Sequence, residues 1–116
     1  MWQNMKTIEM HLLPKPFEQI KNRKKQIEIR LYDEKRQQIR LGDAIAFSKL
    51  PDKTEQLTAT GLSHFPTFRM LLEAFPTELF GFENVTMEEM LEEIYEIYPC
   101  ERERQWGVLG IHIKCE

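Results

Sequence analysis

The stretch "KNRKKQIEIRL", Lys21 to Leu31, sets a basic turn directly against an alternating segment. Lys21, Arg23, Lys24 and Lys25 supply the charge; then Ile27, Ile29 and Leu31 alternate with Glu28 and Arg30. Residues two apart on a strand share a face, so Glu28 and Arg30 project together. A partly desolvated carboxylate there can accept a hydrogen bond from an amino group. A guanidinium can grip a carboxylate or phosphate with two parallel bonds. The same two residues on a solvated face would form a surface pair of little energetic weight. Lys25 can act as a general base only if burial and neighbouring cations lower its pKa. Glu28 close by pushes the other way, so donation to a phosphate or carbonyl is the simpler role. Lys24, Lys25, Glu28 and Arg30 are the candidate ligand-binding residues.

The rest of the chain excludes more than it offers. His11, His64 and His112 are scattered without metal-ligand spacing, and Cys100 and Cys115 form no CxxC. A zinc site and a disulfide framework are therefore not expected. No Gly-rich phosphate loop, nucleophile elbow or carboxylate cluster is present, so no metal or cofactor is expected either. Tyr32 and Trp106 flank expected strands and could stack on a base, or simply pack. Glu83 precedes the start of a helix and falls on a connector, where sites tend to sit.

A chain of 116 residues, 41% hydrophobic and 30% charged, fits one domain spanning 1–116. No apolar run is long enough to span a membrane, and Met1 to Met10 carries polar residues where a signal peptide would be apolar. The expectation is a soluble, cytoplasmic protein. Its net charge of −3 is unevenly spread. Residues 1–58 hold 12 Lys and Arg against 8 Asp and Glu, whereas residues 59–116 hold 4 against 11. Any RNA contact should be local, because the acidic half would repel phosphates.

The elements that must position these residues follow from periodicity. A strand is expected from Thr7, a short helix from about Pro16 to Asn22, and a strand over "QIEIRL". "YDEKRQQIR" reads as a loop with room for a short strand near Ile39. "LGDAIAF" is a turn at Gly42 and a strand; "EQLTATGLSHF" is another strand, with a bulge at Gly61. A short helix runs between Pro66 and Pro76. A longer one opens on a capping box, Thr86 with Glu89, and stops at Pro99. Met87, Met90, Leu91, Ile94, Tyr95 and Tyr98 form its apolar stripe, and Glu88, Glu92, Glu93 and Glu96 its solvated face. "QWGVLGIHIKC" closes the chain as a strand. Few-residue connections without repeated βαβ units argue against a doubly wound sheet. The expected class is α+β: a small, mostly antiparallel β-barrel with flanking helices.

"KKQIEIRL", then "IRLGDAIAF", then "IYPCERERQWGVLGIHIK" from Ile97 to Lys114, occur in an order and spacing that resemble the ASCH domain, the activating-signal-cointegrator homology domain of the PUA-like superfamily. The resemblance covers roughly Thr7 to Lys114. One departure is Arg23, where the family commonly has glycine before the two lysines. The resemblance implies a PUA-like β-barrel whose cleft takes RNA or a nucleotide-like small molecule. It also implies a possible reaction, because a bacterial branch of the family hydrolyses the acetyl amide of 4-acetylcytidine with a lysine, a threonine and a glutamate. On this chain the lysine falls on Lys25 and the glutamate on Glu83, in "ENVT". The threonine position is Glu28, so the hydroxyl nucleophile is absent. The candidate catalytic set is thus Lys25, Glu28 and Glu83. Two functions stay open: a module that binds RNA, a nucleotide or a modified nucleoside, and an amidohydrolase acting on an N-acylated nucleobase. Replacing Lys25 or Arg30 by alanine is expected to weaken binding without unfolding the domain.

Overall fold

The computed structural model describes residues 7–11, 18–20, 24–49 and 53–115. The helix expected from Pro16 to Asn22 lies mostly outside them; residues 18–20 are helical. Five strands form one sheet: β1 (Thr7–His11), β2 (Ile27–Leu31), β3 (Ala44–Lys49), β4 (Lys53–Phe65) and β5 (Val108–Cys115), in the spatial order β1-β3-β4-β5-β2. The Gly42–Asp43 turn that launches β3 has a simple cause. Gly42 holds φ +89°, a left-handed conformation that glycine tolerates. The Asp43 side chain then folds back to accept the Arg40 N–H at 2.8 Å. In β4 the register with β5 slips between Ala59 and Gly61, the bulge expected at that glycine.

The sheet differs from the expected mostly antiparallel barrel in two ways. β1 pairs with β3 in parallel, while the other pairings are antiparallel, so the sheet is mixed. The chain leaves β1, lays β2 on the far edge and returns to β3 in β1's direction; such a crossover makes neighbours parallel. The sheet is also open, because β1 and β2 are its two edges and do not pair among the described residues. The short strand expected near Ile39 is instead a single 3-10 turn, Arg36–Gln38, and Ile39 is buried beside it.

Each face of the sheet carries a core. Met10, Ile45, Phe47, Leu57, Leu109 and Ile111 cluster on one. On the other, Ile27, Ile29 and Leu31 of β2 meet Phe68, Leu71, Phe80, Met90 and Ile94. Fully burying each such aliphatic side chain contributes roughly 1.5–3 kcal/mol. The second core is roofed by α1 (Phe68–Ala74) and α2 (Met87–Ile97). The capping box at α2 is formed as expected: Thr86 Oγ1 accepts the Glu89 N–H at 3.1 Å, and Glu89 Oε1 accepts the Thr86 N–H at 2.8 Å. Gly110 lets α1 sit close on the sheet, since a Cβ there would lie 2.9 Å from Leu71 Cδ1.

A third helix, α3 (Cys100–Trp106), was not expected. Pro99 ends α2 but also serves as the N-cap of α3, whose first turn carries Glu101 and Glu103. Glu103 is buried and ties three helices together. It accepts the Phe68 N–H at the start of α1 at 2.7 Å, and Tyr95 Oη of α2 lies 2.8 and 2.9 Å from its two oxygens. Burial and this carboxylate push the Tyr95 phenol up to about 12. Glu103→Ala leaves both donors without an acceptor and should lower unfolding stability by about 2–4 kcal/mol. Urea denaturation should show a lower midpoint at unchanged slope, with Glu103→Gln losing less.

Candidate functional site

The basic turn is anchored before it reaches β2. The backbone N–H groups of Lys24 and Lys25 both donate to the Gln19 carbonyl, at 2.8 and 3.0 Å, and the Gln26 N–H donates to the Leu79 carbonyl at 2.8 Å. This holds the Lys25 side chain over the start of the strand. On β2, Glu28 stands opposite Ile111 and Arg30 opposite Leu109, two residues of the first core. The charged face of β2 is therefore not a solvated face: Glu28 is 4% exposed and Arg30 8%.

Three side chains share this burial. Glu28 Oε2 accepts from Arg30 Nε at 2.6 Å. Glu28 Oε1 lies 2.9 Å from Lys25 Nζ, a close charge contact. A carboxylate oxygen has two lone pairs, so Oε1 keeps acceptor capacity beside that contact. Arg30 also reaches across the open edge of the sheet, where Nη2 donates to the His11 carbonyl at the end of β1 at 2.9 Å. One guanidinium thus links the two edge strands that have no ladder between them. Burial alone would raise the Glu28 carboxyl; the cations Lys25 and Arg30 outweigh it and hold it below the ordinary carboxylate range. Burial works against the charge of Arg30 too, and Glu28 more than restores it.

A cavity of about 310 Å³ opens beside the triad, lined by Lys25, Glu28 and Arg30 at its polar end. Ile29, Phe82, Ile94 and Ile97 give it apolar walls, and His11, Tyr98 and Glu93 complete it. The Tyr98 phenol is raised, by burial first, and feels both Arg30 and Glu28, so at neutral pH it is a neutral hydrogen-bonding group.

Of the sequence-derived candidates, Lys25, Glu28 and Arg30 meet in this cavity. Lys24 is exposed and Glu83 is exposed; neither lines it, although Phe82 beside Glu83 does. Tyr32 stacks at 4.0 Å on His64, away from the cavity lining, and Trp106 is half-buried at the end of α3. His112 contacts Ser63 Oγ at 2.9 Å through Nε2, and Phe75 packs edge-on against its ring. Among the described residues no group of His, Cys, Asp and Glu could hold a metal. Nor, among the described residues, is any helix long and apolar enough to cross a membrane. Sequence reasoning missed His11, Phe82 and Glu93 as cavity residues, and treated Ile94 and Tyr98 as core alone. Periodicity marks the face of α2 on which Ile94 and Tyr98 lie; it carries no signal that the face ends over a void.

The architecture is an open mixed sheet with a helical roof, a Gly-Asp turn before β3 and a Lys25–Glu28–Arg30 cluster at the edge strand β2. The ASCH domain family model matches residues 10–115, and the chain belongs to that family. The crystal structure of hypothetical protein PH0355 is similar at 35% identity and a TM-score of 0.87, covering 95% of this chain and 99% of that one. The solution structure of protein PF0455 from Pyrococcus furiosus is similar at 35% identity and a TM-score of 0.75, covering 94% of this chain and 96% of that one. No curated protein matches the chain.

Burial changes what substitution should do. Arg30→Ala removes a buried partner of Glu28 and the link to the His11 carbonyl, so it should destabilise the fold by about 3–5 kcal/mol, against the sequence-based expectation of a benign change. Lys25→Ala should cost less, because Arg30 still pairs with Glu28. The pH dependence has a definite sign. A carboxyl whose folded pKa is depressed contributes stability above its unfolded value, about 4.3. That contribution is lost as pH falls through the lower folded value. The stability gap between wild type and Glu28→Gln, read from denaturation midpoints, should therefore narrow as pH drops below about 4.3.

Proposed function

We propose that the cavity binds a nucleobase-bearing ligand: RNA, a nucleotide or a modified nucleoside. The observation that carries this reading is the Lys25–Glu28–Arg30 triad in a cavity with apolar walls from Ile29, Phe82, Ile94 and Ile97. A base has apolar faces and an edge of alternating donors and acceptors. Ile29, Phe82 and Ile94 suit the faces. Glu28 Oε1 suits an exocyclic amino group, and Lys25 a ring carbonyl. The volume, about 310 Å³, lies in the range of small-molecule sites. Exposed, unbridged Cys100 suits a reducing cytoplasm.

Hydrolysis of an N-acylated nucleobase is the second reading. It is favoured by the contact of Lys25 with Glu28 in the cavity, which sets a donor for the developing oxyanion beside a carboxylate that could take a proton from water. The two cations count against it. A carboxylate held below its ordinary pKa is a weak base, and it is not the hydroxyl nucleophile of the 4-acetylcytidine-hydrolysing branch. Glu83 is exposed and is not among the residues that line the cavity.

Thermal melting with a panel of nucleosides, nucleotides and short RNAs tests the binding reading. A true ligand at 100 times its dissociation constant adds about 2.7 kcal/mol to wild type. The same ligand should shift Glu28→Gln much less, measured against that variant's own baseline. No shift with any member of the panel would overturn the reading. Incubation with 4-acetylcytidine separates the two functions: little or no cytidine release is expected. Fast release that Glu28→Gln abolishes would establish the hydrolase instead.

A further inference from the structure

Glu93 lines the cavity and yet stays exposed, on a helix whose neighbouring positions Glu92 and Glu96 are exposed as well. An anionic ligand group entering here would meet it directly. The cations inside give little compensation. Glu28 already faces both Lys25 and Arg30, and Arg30 Nη2 is engaged by the His11 carbonyl. The triad carries one net positive charge, and Glu93 cancels it. The backbone adds to the effect. Ile94, Ile97 and Tyr98 bring the C-terminal end of α2 to the cavity, and its last turn has no basic residue. The free carbonyls of a helix end present partial negative charge, which disfavours anions.

We propose that Glu93 is a specificity-determining residue that filters ligands by charge, so that the cavity admits an uncharged nucleoside and turns away its phosphorylated forms. This rests on the nucleobase reading and narrows it. The apolar walls and the triad take the base; the sugar lies toward the mouth; a 5′-phosphate there would face Glu93 and the end of α2. The acidic half of the chain, noted from sequence as hostile to phosphate, thereby acts at one defined place.

The test compares the full chain with Glu93→Gln and Glu93→Lys, using cytidine, adenosine and 4-acetylcytidine, each beside its 5′-monophosphate, in equilibrium dialysis at low salt. Wild type should bind the best nucleoside about tenfold or more tightly than its monophosphate, and added salt should shrink that ratio. Glu93→Gln should cut the ratio at least about threefold by tightening the monophosphate more than the nucleoside, and Glu93→Lys should cut it further. Glu93 is an exposed helix residue, so matching melting curves should show both variants folded. Glu96→Gln, which is outside the cavity lining, should leave the ratio unchanged. Equal or tighter binding of the monophosphate by wild type would overturn the filter, as would a ratio indifferent to both Glu93 substitutions. A different failure, in which no nucleoside binds either wild type or Glu93→Gln, would overturn the nucleobase reading itself and the filter with it.

Discussion

Glu28 is a carboxylate set against an apolar core, and everything around it answers to that fact. Removing a charge from water costs several kcal/mol after relaxation, so it persists only with close partners. Lys25 and Arg30 supply them, at 2.9 and 2.6 Å. The requirement then spreads outward. Lys25 must be held in place, which the Gln19 and Leu79 carbonyls do by anchoring the turn. Arg30 must satisfy its remaining donors, and the His11 carbonyl takes one. The outcome is a bridge between the two edges of an open sheet, made by one side chain where a closed barrel would have a ladder of backbone bonds.

The cavity is a consequence of the same arrangement. β2 is an edge strand, so no neighbouring strand covers the charged side chains on that flank. α2 approaches over the other face with Ile94 and Tyr98, and Phe82 comes from the connector ahead of it. A space is left where strand edge, helix end and connector meet. Its polar residues are held in place by their own contacts, Lys25 and Arg30 on Glu28 and Arg30 on the His11 carbonyl. Its electrostatics are balanced, which suits a ligand recognised by hydrogen bonds more than by charge.

The Glu103 network shows the same physics used for architecture alone. There too a buried carboxylate gathers donors, a backbone N–H and a phenol, but it sits among helices and does not line the cavity beside Glu28. Burial and polar partners do not by themselves mark a site. Glu28 is marked out by the cavity that it lines together with its two cations.

Much of this was legible in the chain. Period-two alternation at Ile27, Ile29 and Leu31 determined which β2 residues enter the helical core, and that Glu28 and Arg30 share the opposite face. Thr86 and Glu89 determined where α2 begins, Gly42 the turn before β3 and Gly61 the bulge. These are local signals, set by backbone sterics and near neighbours in sequence. α3 had a local signal as well, in Pro99 followed by Glu101 and Glu103, but it was masked by reading that proline only as a stop. What alternation could not say is what covers the Glu28 face, because a strand pattern has the same form whether water or an apolar core lies beyond it. That was decided by pairings far apart in sequence: β2 against β5 and β1 against β3, with Arg30 reaching His11 across the gap. The place of Glu93 was decided in the same way. Its helical position marks it as solvent-facing, and only the packing of α2 over the sheet edge makes that solvent the mouth of a cavity.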